Sequence, residues 1–568
     1  MNTETRVCQN CKRNFTIEPE DFDFYKKIQV PPPTWCPKCR LQRRLSFFNL
    51  FTLYRRKCDL CGELKVSSFP PGSPYRVYCP QCWWSDDWDP LEYSREYDFS
   101  KPFFEQFNSL LHEAPLLGIS IDLPTSRESP FNHHAGHLKN CYLLFFADFC
   151  EDSAYGFYHV QTKALIDCSL ASTSELCYDS MHIYKCSRGI GLRSHVTESI
   201  DCAFLKDCSN CQNCFASANL YNKKYHIFNK PYSKEEYFAE IKKWDLGSYK
   251  TYEEVKKLAE THWRKFTPKP RFDELSVRST GNYVFESKNC RDCYEVVGVE
   301  DSRFLLMTYT PPIKDCYDYT SWGNNVSLMY ECCVSGEYAS NLRFCQESGI
   351  NLYNAEYCKL STGGSDHFGC VSMKKGKHCI LNKPYTEREF QALREKIITH
   401  MTEMPYTDKK GRIYRYGEFF PFELSPHPYN DTVAQRFFPL SKEQAVGEGL
   451  VWQEPESREY TITKKASEIP DHIKDAADSI LNETIGCLSC SRGFKITNTE
   501  LRFLRKMNVP LPRKCPFCRI EEKFSQWMKN LAIKKRLCDK CGSEFETSYS
   551  KEEAPNILCK TCYLQEVV

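Results

Sequence analysis

Sixteen cysteines of this chain are spaced as eight Cys-x-x-Cys pairs, and the pairs stand in two sets at its two ends. The first set is Cys8/Cys11, Cys36/Cys39, Cys58/Cys61 and Cys79/Cys82; the second is Cys487/Cys490, Cys515/Cys518, Cys538/Cys541 and Cys559/Cys562. A Cys-x-x-Cys turn aims two thiolates at one ion, and two such turns complete the tetrahedral shell that zinc prefers. One pair alone can be a redox motif. Eight pairs in two ordered sets point instead to structural zinc, about four Zn2+ ions in all. Spacing leaves open whether the pairs combine sequentially or first with third and second with fourth.

The two sets are copies of one module. Each C-terminal cysteine lies 479 or 480 positions after its N-terminal counterpart. "PPPTWCPKCRLQRR", residues 31–44, returns as "PLPRKCPFCRIEEK", residues 510–523. Phe15 with Phe494, Lys27 with Lys506 and Arg40 with Arg519 fall in the same frame. Both copies carry a helix-like stretch in the first loop, "EDFDFYKKIQV" and "TELRFLRKMNV", ended by prolines that set an extended approach to the next knuckle.

Charge near the knuckles suggests a partner. From Cys36 to Lys65 eight cations face Asp59 and Glu63, a net +6, within a chain of net charge +2. Arg502 to Glu544 is similarly cationic. Aromatics interleave: Phe47, Phe48, Phe51 and Tyr54 in one copy, Phe517, Phe524 and Trp527 in the other. Cations neutralise phosphates and rings stack on unpaired bases, so RNA or single-stranded DNA is the expected ligand. The residues assigned to it are Arg40, Arg43, Arg44, Arg55, Arg56, Lys57, Arg519, Lys535 and Arg536. The opposing expectation makes the rings core and the charges a solvated face. "CWWSDDWDP", residues 82–90, is expected to pack Trp83, Trp84 and Trp88 on a neighbouring domain.

The other 18 cysteines are scattered through residues 133–385, most of them after a polar residue ("KNCYLLF", "IDCSLAS", "RDCYEVV"). Short stretches of Tyr, Phe, Leu, Ile and Val separate them, without helical periodicity. A parallel β-helix with coils of roughly twenty residues and an internal cysteine ladder fits this pattern; an antiparallel sandwich is the alternative. The region is itself duplicated: "HIFNKPYSKEEYF" returns as "HCILNKPYTEREF", placing Asn229 and Asn382 153 residues apart. Ser233 with Glu236, and Thr386 with Glu389, read as capping boxes of helices that close each block.

The expected fold is therefore mainly β: two parallel β-helix-like solenoid blocks flanked by duplicated two-zinc ribbon-type modules of α+β character. The expected segments are a two-zinc module (1–90), a helical connector (91–132), a first block (133–232), a helical cap and linker (233–280), a second block (281–385), a cap with an aromatic and Pro-rich connector (386–480), and the C-terminal module (481–568). In the connector, Ser441 and Gln444 signal a short helix, and "IPDHIKDAADSIL" places Ile469, Ile473, Ala477 and Ile480 on one helical face for docking the last module.

No apolar stretch is long enough to span a bilayer, and "MNTETRVCQN" lacks a signal-peptide core. A cytoplasmic protein without a membrane partner is expected. "FNHHAGH" (His133, His134, His137) reads as a loop rather than a metal site. "CSNCQNC" (Cys208, Cys211, Cys214) could hold a metal but shows no fourth ligand.

"FYKKIQVPPPTWCPKCR", "YCPQCWWSDDWDP", "YGEFFPFELSPHPYNDTVAQRFFPLSKEQA" and "IPDHIKDAADSIL" together resemble an uncharacterised cysteine-rich zinc-ribbon group from small-genome bacteria and giant viruses. The resemblance supports zinc at the paired cysteines and brings no established function. The expected function is zinc-dependent, non-enzymatic binding of RNA or single-stranded DNA on a rigid scaffold. The alternatives are a scaffold for other proteins or its own copies, and a β-helix enzyme acting on a polymer.

Overall fold

Over residues 134–229 and again over 275–382 nearly every third residue has a left-handed backbone: 134, 137, 140, 143, 146, 149 and so on. The computed structural model, which describes residues 2–454 and 460–567, shows what this period builds. Each triplet has one residue pointing inward, one pointing outward, and one left-handed residue at a corner. A corner turns the chain by a quarter, so four triplets close a coil. The next coil stacks on it in parallel register, twelve residues on: His133 against Phe145, Phe145 against Phe157, Gln212 against Lys224. The coil is thus twelve residues rather than about twenty, and the sheets are parallel rather than an antiparallel sandwich. Where a coil has thirteen residues, a corner can take the extra one, as at Asn324–Asn325, Glu337–Tyr338 and Ile350–Asn351, all with positive φ.

A left-handed corner costs about 1–2 kcal/mol for an ordinary side chain and less for Asn or Asp. This explains the polar residue before most of the internal cysteines. Asn140, Asp167, Asp201, Asn289 and Asp315 are corners, and Cys141, Cys168, Cys202, Cys290 and Cys316 are the buried inward residues that follow. So close a coil leaves a narrow bore that takes small side chains. Cys, Ser, Ala, Val and Leu line it. Inward serines also tie coils together. Ser153 Oγ donates to the Glu151 carbonyl at 2.9 Å and accepts the Leu165 amide at 3.1 Å. Ser180, Ser287 and Ser302 repeat the pattern. Inward thiols approach the same carbonyls, Cys141 Sγ lying 3.4 Å from those of Lys139 and Cys150. Burial pushes Cys141 and Cys168 up to about 12, which keeps them unreactive thiols.

Both solenoid blocks end alike. Asn229 and Asn382 sit at a left-handed position, and each pairs its side-chain amide with the backbone of the preceding coil, at Ala218 and Val371. A short hairpin follows, then the expected capping boxes start the helices Lys234–Ile241 and Glu387–Glu403. Ser441 and Gln444 likewise cap Lys442–Gly447. The expected amphipathic helix after Ile469 is instead two 3-10 turns, Ile473–Asp475 and Asp478–Asn482. This change of pitch buries Ala476 rather than Ala477, while Ile469, Ile473 and Ile480 are buried as expected. Arg505 and Arg513 of the C-terminal module donate to the carbonyls of Ala476 and Pro470 there.

The chain forms two compact units, and neither is one continuous stretch. Met1–Ile119 joins Phe272–Pro455, and Ser120–Arg271 joins Glu456–Val568. The first unit thus combines the N-terminal cysteine module with the second solenoid block. The second combines the first solenoid block with the C-terminal module.

Candidate metal centres

Four groups of four thiols converge: Cys8, Cys11, Cys36 and Cys39; Cys58, Cys61, Cys79 and Cys82; Cys487, Cys490, Cys515 and Cys518; Cys538, Cys541, Cys559 and Cys562. Within each group all sulfurs lie within 4.8 Å of one another. The pairs therefore combine sequentially. In every group the first pair lies on a tight turn, and the residue after it (Lys12, Gly62, Ser491 or Gly542) has positive φ. The second pair opens a helix, with Cys36, Cys79, Cys515 and Cys559 as N-caps. The N-cap amide donates to the first cysteine at 3.2 Å in all four, for example Cys36 N to Cys8 Sγ.

The donor sets fit a metal. A tetrahedral ion with bonds of about 2.3 Å sets its sulfurs about 3.8 Å apart. Cys11–Cys36, Cys490–Cys515 and Cys541–Cys559 are separated by 3.8, 3.7 and 3.8 Å. Burial would raise the Cys58 thiol, but amide donors at Cys79, Cys61 and Leu60 outweigh it and bring Cys58 down to about 7. Cys487 comes to about 7 and Cys538 to about 6 in the same way. Each group could thus hold one metal ion, compatible with zinc.

The arginine after each second-knuckle cysteine is not on the surface. The helix Pro37–Leu45 carries Arg40, Arg43 and Arg44, all at most 1% exposed. Arg40 Nε donates to Asp318 Oδ2 at 2.9 Å, and Arg44 Nη1 to Asp318 Oδ1 at 3.1 Å. Arg43 reaches Glu331 at 2.9 Å and Glu418 at 3.0 Å, with its guanidinium 4.4 Å from the Trp35 ring centre. In the other unit the helix Pro516–Leu531 repeats the arrangement. Arg519 pairs with Asp167 and, at 3.0 Å, with Glu500; Lys523 pairs with Asp179 at 2.7 Å. Burial opposes the charge on Arg40, Arg43 and Arg519, but their carboxylates outweigh it and raise all three.

The partners are equivalent in the two units. Counting corners back from the end of the second block gives Leu381, Gly369, Tyr357, Phe344, Glu331 and Asp318. The same count from the end of the first block gives Phe228, Ala216, Phe204, Gly191, Asp179 and Asp167. Arg40 and Arg519 therefore meet the same corner of the same coil; Arg44, whose Nη1 also lies 3.5 Å from Glu331, and Lys523 reach the corner of the next coil. Asp21 and Glu500, 479 residues apart, are both buried on the first-loop helices Pro19–Lys27 and Asn498–Met507, where they bind Arg303 and Arg519.

These contacts correct the assignment of nucleic-acid residues. Arg40, Arg43, Arg44 and Arg519 are enclosed because a solenoid corner offers each a carboxylate. Arg56, 7% exposed, turns inward to Asp59 and the Pro70 carbonyl. Arg536 is half-buried on the carbonyls of Ser550 and Ala554. Arg55, Lys57 and Lys535 are exposed, the last paired with Glu544. The interleaved aromatics are core, except Phe517, which is 41% exposed. Trp83 and Trp88 are buried against their own unit, while Trp84 is half-exposed.

The other metal candidates resolve differently. Cys208, Cys211 and Cys214 are three successive inward residues of one coil, so their spacing is the triplet period. Among the described residues they join no four-ligand group. His133–Lys139 is the first strand of its block rather than a loop. His134 stacks on Phe146, and His137 binds Asp148 at 2.9 Å. The docking acids Asp318, Glu331, Asp167 and Asp179 escaped the sequence reading. Only the triplet period places Asp318 with Glu331 in one column, and Asp167 with Asp179 in another. No protein-family profile matches this chain, and no curated protein resembles it significantly. No helix among the described residues is long and apolar enough to cross a membrane.

Proposed function

We propose that this protein is a zinc-clamped, non-enzymatic scaffold whose solenoid sides bind other proteins. The observation that carries the reading is the fate of the repeated knuckle arginine. In both units it enters a buried ion pair with the solenoid, so the cysteine modules act as clamps on their solenoid and have few cations left for phosphate. The open sides are paired rather than poised for chemistry. Lys139, Glu151 and Lys163 form an alternating column, with ion pairs of 2.6 and 3.1 Å. Asn341, Asn354 and Asp366 form a hydrogen-bonded ladder. Acids neutralised in this way do not supply the free carboxylate pair that a polymer-cleaving groove needs. The four-thiolate set and its sulfur spacing support zinc as the ion, and the paired cysteines keep the resemblance to the zinc-ribbon group as part of this reading.

The test is fluorescence anisotropy of the full metal-loaded chain with single-stranded RNA and DNA at low salt. No binding is expected. Binding with a steep salt dependence that falls on replacing Arg55, Lys57 and Lys535 by Gln would restore the nucleic-acid reading.

A further inference from the structure

Asp207 stands apart from every other acid along the solenoid corners. It is a corner residue of the first block, with φ +53°, and is 4% exposed. Neither carboxylate oxygen has a hydrogen-bond partner. Such a group is costly to bury and calls for an explanation. Its counterpart in the second block, 153 residues on, is Leu360, which is buried too. The twin coil therefore folds with an apolar side chain at this corner, and the fold does not require an acid there.

What lies over Asp207 is the last four-cysteine ribbon. Tyr549 of that ribbon is raised by burial first and then by the charge of Asp207, and Tyr563 by burial, then by Tyr221, and after it by Asp207. The ammonium of Lys206 lies 5.2 Å from the Tyr549 ring centre. The charged or titratable groups facing Asp207 are Lys206, His195 and the buried Cys208 thiol on the solenoid, Lys269 on the segment beside it, and the two tyrosines on the ribbon. The three basic groups attract its charge without hydrogen-bonding it.

We propose that Asp207 is a proton-operated seat for the C-terminal ribbon: protonated, it holds the ribbon down on the solenoid, and ionised, it loosens it. A neutral carboxyl avoids the desolvation cost and can donate its O–H. Burial pushes Asp207 up to about 6, against an ordinary 3.8 when the ribbon lifts and water returns. The sign follows from that order. Below about pH 4 both states are protonated and seating carries no penalty; the penalty grows between about pH 4 and 6 and is complete above it. Seating is therefore tighter in acid. The inference does not depend on what the scaffold binds.

Hydrogen exchange of the full metal-loaded chain, corrected for intrinsic rates, tests it at pH 7 and pH 5, with metal content checked at both. Protection of the amides around Tyr549 is expected to rise about tenfold from pH 7 to pH 5. Asp207→Leu, the residue of the twin coil, and Asp207→Asn should show high protection at both values. Three results would overturn the proposal: no rise in the parent protein, the same rise in both variants, or variants less protected or less stable than the parent at pH 7.

Discussion

Arg40 and Arg519 are ordinary arginines made structural by their neighbours. Each follows a cysteine of a candidate metal centre and begins a helix whose N-cap is another, so the centre fixes where the guanidinium points. Removing one partner of a buried pair strands the other charge. Arg40→Met should therefore destabilise the first unit by about 3–5 kcal/mol, measured by denaturant unfolding. Arg55→Gln, at an exposed position of the strand Tyr54–Lys57, should stay within about 0.5 kcal/mol. Equal losses would mean that the arginine–corner contact does not hold the module. The bore makes a second residue-scale case. Cys345 is fully buried, and its thiol lies 3.4 Å from the Arg343 carbonyl. Serines elsewhere in the bore make the same bond, so Cys345→Ser should cost no more than about 1 kcal/mol. Cys345→Leu adds volume where there is none and should cost about 1–3 kcal/mol or more.

The coil is the element that the triplet period defines, and its corners decide which residues it tolerates. Asn341 is a corner with φ +56° and donates to Asn354 at 3.0 Å. A β-branched side chain suits that conformation poorly and also breaks the ladder. Asn341→Val should lower stability by about 1–3 kcal/mol, while Asn341→Gly should lose well under half of that, read by thermal unfolding. Similar losses for both would place the stabilisation in the ladder rather than the corner. The solenoid was legible as short stacked strands with buried cysteines, but its period was not. Reading Asp-Cys, Asn-Cys and Asp-Ser pairs as corner followed by inward residue yields the twelve-residue coil. Counting apolar runs hides it, because outward residues are apolar wherever a module covers them. Tyr317 and Tyr330, for instance, face outward yet are buried beneath Phe24 and Tyr25.

Each unit as a whole is a solenoid block clamped along one corner by a two-centre cysteine module. Elemental analysis of anaerobically purified protein should find about four zinc ions per chain. Chelation should abolish the near-ultraviolet signal of module aromatics such as Trp35 and Trp527, which are buried. It should leave most of the far-ultraviolet β signal, because each coil is supported chiefly by its neighbours. Iron in place of zinc, or collapse of the β signal together with the aromatic signal, would refute this division of labour.

Some of this architecture is written in local spacing. Two thiolate pairs can satisfy one ion wherever they meet, so eight Cys-x-x-Cys pairs announce four centres before any fold is known. A duplicated capping box likewise announces a duplicated helix. Spacing cannot say where a charge will point. Arg40, Arg43 and Arg44 look the same in sequence whether they face solvent or a carboxylate, and the acids that receive them lie 274 to 375 residues away. Only the stacking of coils brings Asp318 and Glu331 into one column, and only the folding of the N-terminal module onto the second block sets the arginines against it. Long-range pairing, which no local pattern encodes, turned a basic stretch that suggested phosphate binding into the buried pins of a clamp.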